Sequence, residues 1–391
     1  MNSRSRLRAA MNMAMPDRVP LMCQLSIGFY FLHASPDPRQ IWLTSEGFAS
    51  ALIELADRFH FDGILVNLPG RPPDLGQYID RIEESDQMTI HWKNGHYTEI
   101  PPDDNPHYYQ PDGQRYFPGF REIDPERLFY VEPWDITEIT DPYTWAFEEE
   151  PRPEEAYFPE YHLDTFKMVI GRAGNRLSIH SEVFSPWSQF LELLNYDEAL
   201  LAILDDPEKC RACLDRLADG AIALGAEQIG AGADAVLISS AFAGAGFISR
   251  EHYEKFVLPY ERKVIRGLHA IADVPVYTHT CGAIGDRLDL MLETGTDGID
   301  TLDPPPIGTV ELEDAVDQLS GEAFIKGNID PINTLLNGNP STVKEDARWR
   351  LNTAMPGGGY ILSSACAVAP HTPTENLHAL FEAAEEFGHY S

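Results

Sequence analysis

The chain has 391 residues and a mass of 43.8 kDa, which allows two or three small domains or one large barrel. Its composition, with 43% hydrophobic and 23% charged residues, excludes disordered and collagen-like classes. The 62 acidic residues outnumber the 29 Lys and Arg residues, and the net charge of −33 argues against binding to nucleic acid or to an anionic membrane surface.

Two features predict a cytoplasmic protein. No apolar run reaches the ~20 residues that span a bilayer, and the first 20 residues lack the apolar core of a secretory signal. The five cysteines are too few, and odd in number, for a disulfide framework. A cysteine with a special role is therefore expected to be a metal ligand or a nucleophile.

Short β-rich runs alternate with helical patterns along most of the chain. The predicted strands are Val19–Gly28, Gly63–Leu68, Leu177–Phe184, Ala235–Phe242, Pro275–Gly282, Gly298–Pro305, Glu322–Asp330 and Gly359–Val368. The predicted helices are Thr44–His60, Pro186–Leu204, Pro207–Gly230, Ser249–Ala272, Ile284–Glu293, Val310–Leu319, Thr342–Ala354 and Pro373–Phe387. Two capping boxes, Thr342-x-x-Glu345 and Thr372-x-x-Glu375, predict where the last two helices begin.

Eight strands that alternate with helices imply parallel pairing through right-handed crossovers, and the number eight favours closure into a barrel. A doubly wound open sheet is the alternative, but no G-x-G-x-x-G or P-loop motif opens a helix in this sequence. We therefore predict an α/β fold, a (β/α)8 TIM barrel that forms a single domain over residues 1–391.

Residues 69–166 interrupt the alternation, because a sequence rich in Pro, Tyr, Trp and acid replaces the helix expected between the second and third strands. A structureless loop of this length would be unusual in a compact domain. Within it, Met88–Ile100 has the pattern of a β-hairpin around a two-residue Asn94–Gly95 turn. We predict that residues 69–166 form an inserted, β-containing subdomain over a rim of the barrel.

Active sites of such barrels lie at the C-terminal ends of the strands. His279 and Cys281 alternate on the fifth predicted strand, so both side chains point inward, and Cys366 lies at the same height on the eighth. One imidazole and two thiolates are a ligand set for zinc, and three protein ligands leave a fourth position open for catalysis. The alternative is that all three are ordinary core side chains.

The same rule nominates other strand-end residues as parts of the pocket. Glu182 is either a fourth metal ligand or proton donor, or a carboxylate paired with an arginine, and Asp300 and Asp303 are alternative fourth ligands. We assign Glu182 and Asp303 to catalysis. The candidate substrate-binding residues are Ser26, Asn67, Ser240 and Asn328. The Cys210-x-x-Cys213 pair lies in a predicted helix without a second pair, so we expect both thiols to pack in the core.

Five motifs carry a family resemblance. They are Asp17-Arg18-Val19-Pro20, His279-Thr280-Cys281-Gly282, Gly327-Asn328-Ile329-Asp330-Pro331, Gly359-Tyr360-Ile361-Leu362 and Pro373-Thr374-Glu375-Asn376-Leu377. Through them the chain resembles the uroporphyrinogen decarboxylase superfamily, and within it the cobamide-dependent methyltransferases that carry His-x-Cys…Cys zinc ligands. The resemblance implies a (β/α)8 barrel and a zinc ion held by His279, Cys281 and Cys366.

The porphyrinogen decarboxylases of that superfamily bind an anionic tetrapyrrole with arginines in an R-Q-A-G-R-Y segment after the first strand. This chain has Gln24-Leu25-Ser26-Ile27-Gly28-Phe29-Tyr30 at that place. Both arginines are missing, so several propionates would lose their charge partners. The sequence therefore argues against porphyrinogen decarboxylation.

The resemblance implies a zinc-dependent methyltransferase that moves a methyl group between a small substrate and the cobalt of a corrinoid. The substrate would be a methyl ether, as in O-demethylation, or a thiol. We find no Asp-x-His-x-x-Gly cobalt-ligand motif, so a separate corrinoid protein would supply the cobalamin. The alternatives are a metal-free decarboxylase of a non-porphyrin substrate and a non-catalytic carrier of a corrinoid or tetrapyrrole; a homodimer is left open.

Overall fold

The computed structural model describes residues 1–114, 117–132 and 157–390. The strands in this part are β1 (Gly63–Val66), β2 (Ile79–Glu84), β3 (Met88–Trp92), β4 (Tyr97–Ile100), β5 (His107–Tyr109), β6 (Ser178–Phe184), β7 (Ala235–Ser239), β8 (Val276–Thr280), β9 (Gly298–Thr301), β10 (Phe324–Ile329) and β11 (Tyr360–Ser364). The α-helices are α1 (Ser3–Met11), α2 (Ile27–His33), α3 (Pro38–Leu43), α4 (Ser45–Arg58), α5 (Asp164–Ala173), α6 (Pro186–Leu194), α7 (Tyr196–Asp205), α8 (Pro207–Ala231), α9 (Arg250–Phe256), α10 (Leu258–His269), α11 (Leu288–Glu293), α12 (Leu312–Leu319), α13 (Pro340–Ala354) and α14 (Thr374–Phe387). Short 3₁₀ turns cover Leu75–Tyr78, Phe120–Glu122 and Pro125–Arg127, and a π-helical turn covers Pro331–Leu336.

Seven parallel strands form the wall of a barrel in the order β1-β6-β7-β8-β9-β10-β11, and helices connect successive strands. Side chains alternate across this wall. On β8, Tyr277 packs inward with Leu237 and Phe324, whereas Val276 packs outward against Val264 of α10. The predicted α/β barrel class is confirmed, and the alternation decides which residues can reach the interior.

An extended segment, residues 19–26, takes the eighth position between the edge strands β11 and β1. The backbone N–H of Met22 donates to the carbonyl of Leu362, and the N–H of Asp62 donates to the carbonyl of Leu21. The first predicted strand, Val19–Gly28, is wrong in its last part, because Ile27 begins α2. The segment therefore bridges the two edges without being a regular strand.

Two predicted helices are each divided in two. Pro186–Leu204 is broken at Asn195, whose φ of 66° lies in the left-handed region and cannot continue a helix. Ser249–Ala272 is broken at Val257, just before Pro259, which has no N–H for the helical ladder. Each break lets the chain change direction while it stays packed on the barrel.

Both predicted capping boxes are wrong. A helix capped by Thr342 would begin at residue 343. Helix α13 begins instead at Pro340, and the side chain of Asn339 caps it. Helix α14 begins at Thr374 without a side-chain cap. Within the described parts of the chain, the helices are too short or too polar to cross a bilayer.

Helix α1 lies across the floor of the barrel, where Leu7 and Met11 pack with the interior side chains of several strands. Asp62, which is fully buried, ties this helix to the wall. Its carboxylate accepts hydrogen bonds from Arg6 at 2.6 Å and from Arg18 at 2.9 Å. The N-terminal end of the barrel is thus closed by protein, and the open end is the C-terminal one.

A second, antiparallel sheet, β2-β3-β4-β5, lies in the chain between β1 and β6. The predicted hairpin is present, with Met88 opposite Ile100, but its loop has three residues instead of two because Trp92 pairs with His96. Gly95 supplies the positive φ, 93°, that this turn requires. The subdomain boundary at residues 69–166 stays a prediction, and residues 115–116 and 133–156 lie outside the described part.

The buried pair of cysteines on α8 provides a stability test. Cys210 and Cys213 are fully buried in the main core, as the helical position predicts. Replacing both with Ala should lower the free energy of unfolding by ~1–3 kcal/mol through lost packing, without changing the fold. Urea unfolding followed by circular dichroism measures the loss. If the variant did not fold, these thiols would contribute more to stability than packing alone.

Candidate metal centre at the barrel mouth

Three side chains that could hold a metal ion meet at the C-terminal end of the barrel. His279 lies on β8, Cys281 follows this strand, and Cys366 follows β11. The His279 Nε2 is 3.3 Å from the Cys281 Sγ, which is 3.5 Å from the Cys366 Sγ. All three ligand atoms lie within 4.8 Å of one another. His279 and Cys281 are two positions apart at the end of β8, so they share a face because side chains of extended chain alternate.

A buried carboxylate and a buried ammonium group stand behind His279. The Asp300 Oδ2 is 3.0 Å from the His279 Nδ1, and Lys326 donates to the Asp300 Oδ1 at 2.9 Å. Asp300 and Lys326 are each only 2% exposed. The parallel register places His279 opposite Asp300, and Asp300 opposite Lys326, on three adjacent strands.

These contacts fix the charges of the imidazole and the carboxylate. Burial raises the pKa of Asp300, but Lys326 and His279 outweigh it and lower that pKa to about 2. Burial lowers the pKa of His279, yet hydrogen bonds to Asp300 and Cys366 raise it to about 10. The contacts of His279 with Asp300 and Cys366 therefore favour the protonated imidazole beside two anionic partners.

The two thiols have opposite pKa shifts. The hydrogen bond with Cys281 holds the pKa of Cys366 well below its ordinary value, and the same hydrogen bond raises the pKa of Cys281. The two sulfurs are close enough to share a proton, and the shifts favour the thiolate at Cys366 and the thiol at Cys281. A cation placed between the sulfurs would favour loss of that proton.

The two residues predicted as catalytic are buried close to this group. Burial raises the pKa of Glu182, on β6, to about 7, although His279 and Ser239 lower it. Burial, with a contribution from Cys366, raises the pKa of Asp303 to about 6, although the N–H of Gly282 donates to it at 2.6 Å. Among the described residues, the Glu182 Oε2 and the Asp303 Oδ1 have no hydrogen-bond partner.

The predicted substrate-binding residues are in different surroundings. Asn67 lines a small cavity of about 30 Å³ together with Glu182, so it stays a candidate. The Ser26 Oγ accepts the N–H of Phe29 and caps α2. Asn67 follows β1, and Ser26 ends the extended segment that bridges β11 and β1.

Ser240 and Asn328 are used in contacts within the fold. Ser240 lies beside Glu261 of α10 and lowers the pKa of that buried carboxyl, so it is on the outer side of the wall. The Asn328 amide donates to the carbonyl of Leu302 at 2.8 Å and accepts a hydrogen bond from Arg350 of α13. Both amide atoms of Asn328 are therefore engaged within the fold, and the substrate-binding role of Ser240 and Asn328 stays a prediction.

The candidate residues chosen from the sequence did not include two residues that lie in the site. Ser239, one position before Ser240, is the serine that bonds to Glu182. Strand alternation puts the two serines on opposite faces, but the uniformly apolar residues 235–238 do not show which face is inward. Lys326 stands two residues before Asn328 on β10, and an inward lysine on a barrel strand is itself unusual enough to be a signal. Asp300 contacts His279 and is not part of the three-residue ligand group.

Comparisons with known proteins show which proteins this chain is similar to. The family described as uroporphyrinogen decarboxylase (URO-D) matches residues 136–387. A methylcobamide:CoM methyltransferase MtbA of Methanosarcina acetivorans is 30% identical over 225 residues, and a uroporphyrinogen decarboxylase of Alkalilimnicola ehrlichii is 27% identical over 245 residues. These matches cover 58% and 60% of this chain and 63% and 64% of the relatives, which is less than two thirds of their length.

A solved structure titled as a methyltransferase from Methanosarcina mazei has the same fold. Its TM-score is 0.70 over 99% of both chains, at 19% sequence identity. At that identity the likeness concerns the fold.

The Asp300–Lys326 pair predicts a stability effect. Lys326→Met removes the ammonium group that pairs with the buried carboxylate of Asp300. We expect the free energy of unfolding to fall by about 3 kcal/mol. This is the low end for a broken buried ion pair, because His279 still contacts Asp300. The Lys326→Met, Asp300→Asn double variant should be more stable than Lys326→Met alone. Lys255→Met, which breaks an exposed pair with Glu251, is the control and should change little. An equally small effect of Lys326→Met would contradict the expectation.

Proposed function

We propose a function from the premise that this chain belongs to the uroporphyrinogen decarboxylase family, which its sequence motifs also resemble. Within this family we assign it to the zinc-dependent methyltransferases. It would move a methyl group between a small substrate, a methyl ether or a thiol, and the cobalt of a corrinoid held by another protein. The names of its Methanosarcina relatives, methylcobamide:CoM methyltransferases, support a cobamide as the methyl carrier.

The observation that carries the proposal is the geometry of the three ligand atoms. Zinc bonds of ~2.3 Å to sulfur and ~2.0 Å to nitrogen place tetrahedral ligands about 3.8 Å apart for two sulfurs and about 3.5 Å apart for nitrogen and sulfur. The spacings here are 3.5 Å between the sulfurs and 3.3 Å between His279 Nε2 and Cys281. Small adjustments of the side chains would fit the ion, so these residues are suited to zinc.

A zinc ion held by three protein ligands would have an open coordination position. The ion would lower the pKa of a thiol bound there, or polarise an oxygen bound there. The residues of the chain do the remaining tasks. His279, Cys281 and Cys366 hold the ion, and Glu182, with a pKa near 7, can take up or return the proton of a thiol or alcohol. Asp303 orients the loop at Gly282 and adds a second carboxylate.

Charge balance supports a divalent cation here. Two thiolates together carry the charge that one zinc ion neutralises, and the buried Asp300 and Lys326 neutralise each other. Since buried unpaired charge is strongly disfavoured, two thiolates this close together favour a divalent cation between them.

The second candidate is a decarboxylase without a metal, since uroporphyrinogen decarboxylases are among the relatives. The segment that would carry arginines for an anionic tetrapyrrole is here the start of α2, where Phe29 and Tyr30 are buried. The third, a non-catalytic carrier of a corrinoid or tetrapyrrole, is distinguished by pigment retained on purification.

All five cysteines are free, which supports a reducing, cytoplasmic location.

Metal content tests the ligand assignment. We expect one equivalent of zinc in the protein and a large loss in Cys366→Ser and in the Cys281→Ser, Cys366→Ser double variant, because the hydroxyl is a poor replacement for thiolate. Atomic emission analysis of purified protein measures it. The Cys210→Ala, Cys213→Ala variant is the matched control and should keep its zinc. Full occupancy in the Cys281→Ser, Cys366→Ser variant would refute the assignment.

Methyl transfer itself should require a corrinoid protein. Mixing this protein with the cognate corrinoid protein and a methyl donor should convert Co(I) to methyl-Co(III), seen in the visible spectrum, and Cys281→Ser should abolish the conversion. The Cys210→Ala, Cys213→Ala variant should retain it. Methyl transfer between two small substrates by rigorously corrinoid-free protein would contradict the proposal.

A further inference from the structure

His279 can present only one of its two ring nitrogens to the sulfurs. The Nε2 faces Cys281 at 3.3 Å, and the Nδ1 faces Asp300 at 3.0 Å. A neutral imidazole carries one hydrogen, and a ring nitrogen that binds metal must be the one without it. The hydrogen must therefore be on Nδ1 whenever Nε2 serves as the ligand.

Asp300 is held so that it can only accept this hydrogen. Its Oδ1 accepts from Lys326 Nζ at 2.9 Å and from the N–H of Thr301 at 2.9 Å. Its Oδ2 is left for the Nδ1 of His279. Because both donors on Oδ1 are fixed, one by a buried strand and one by the backbone, the carboxylate cannot rotate away without losing them.

We propose that Asp300, anchored by Lys326 and Thr301, is a positioning residue that fixes the ring orientation and the tautomer of His279 and thereby sets the metal affinity of the site. This inference rests on the proposed zinc function. Groups behind a histidine ligand typically change metal affinity 10- to 100-fold when they are removed. Asp300 acts through His279. It differs from a fourth metal ligand because Lys326 and Thr301 hold its Oδ1 and His279 contacts its Oδ2.

An isosteric substitution separates this role from packing. In Asp300→Asn, the amide oxygen is required at the position of Oδ1, where Lys326 and Thr301 donate, so the NH2 group faces the Nδ1 of His279. That group donates, which forces the ring hydrogen onto Nε2, the nitrogen that faces Cys281. We expect the zinc dissociation constant to rise 10- to 100-fold, although the size of the side chain is unchanged.

The experiment is competition for zinc between the purified protein and a chromophoric chelator, for the wild type, Asp300→Asn and Asp300→Ala. The visible spectrum of the Co²⁺-substituted proteins reports the ligand field in the same samples. The matched control is Glu261→Gln, which changes a carboxylate that is also buried and hydrogen-bonded, to Tyr253 on α9, away from the three ligands. It should bind zinc within about twofold of the wild type.

A direct measurement covers the case in which the variants do not fold. In ¹⁵N-histidine-labelled, zinc-loaded wild-type protein, long-range ¹H–¹⁵N correlation should show His279 with a protonated Nδ1 and a metal-bound Nε2. A metal-bound Nδ1, or wild-type zinc affinity in Asp300→Asn, would overturn the role of Asp300 while leaving zinc binding intact. A wild-type protein that binds no zinc would overturn both this inference and the proposed function.

Discussion

The parallel register of β8, β9 and β10 is the constraint on which the candidate site depends. It places His279, Asp300 and Lys326 side by side at one level of the barrel interior. A shift of one residue in any of these strands would turn its side chain to the outer face and break the chain of contacts. Cys281 then follows two positions after His279 on the same face, and Cys366 meets it from the loop after β11.

The site brings charged groups into a place that water reaches poorly, and their arrangement limits the cost. Lys326 and Asp300 compensate each other, while the two sulfurs lie close enough to share one proton. Groups that share a proton in this way respond strongly to a cation, because binding replaces the proton with a larger charge. The same arrangement thus suits the two sulfurs to a metal ion.

The two ends of the barrel have separate tasks. The floor is closed by α1 and by the fully buried Asp62, which joins Arg6 and Arg18 and receives the N–H of Leu21. This network holds the irregular segment that bridges β11 and β1. The mouth carries the sulfurs, the imidazole and the buried carboxylates. In barrels of this class, residues at the floor serve stability and residues at the mouth serve chemistry.

The sequence by itself determined the fold class and the three ligand candidates, because strand alternation and the rule that barrel sites lie at strand ends need no coordinates. Only the tertiary structure decided which neighbours support them. It placed Ser239 beside Glu182 and Ser240 behind the wall, because the last residues of β7 define the phase of the alternation. It also placed Lys326 against Asp300, since register between strands distant in sequence is set by packing of the whole barrel and leaves no local mark in the chain.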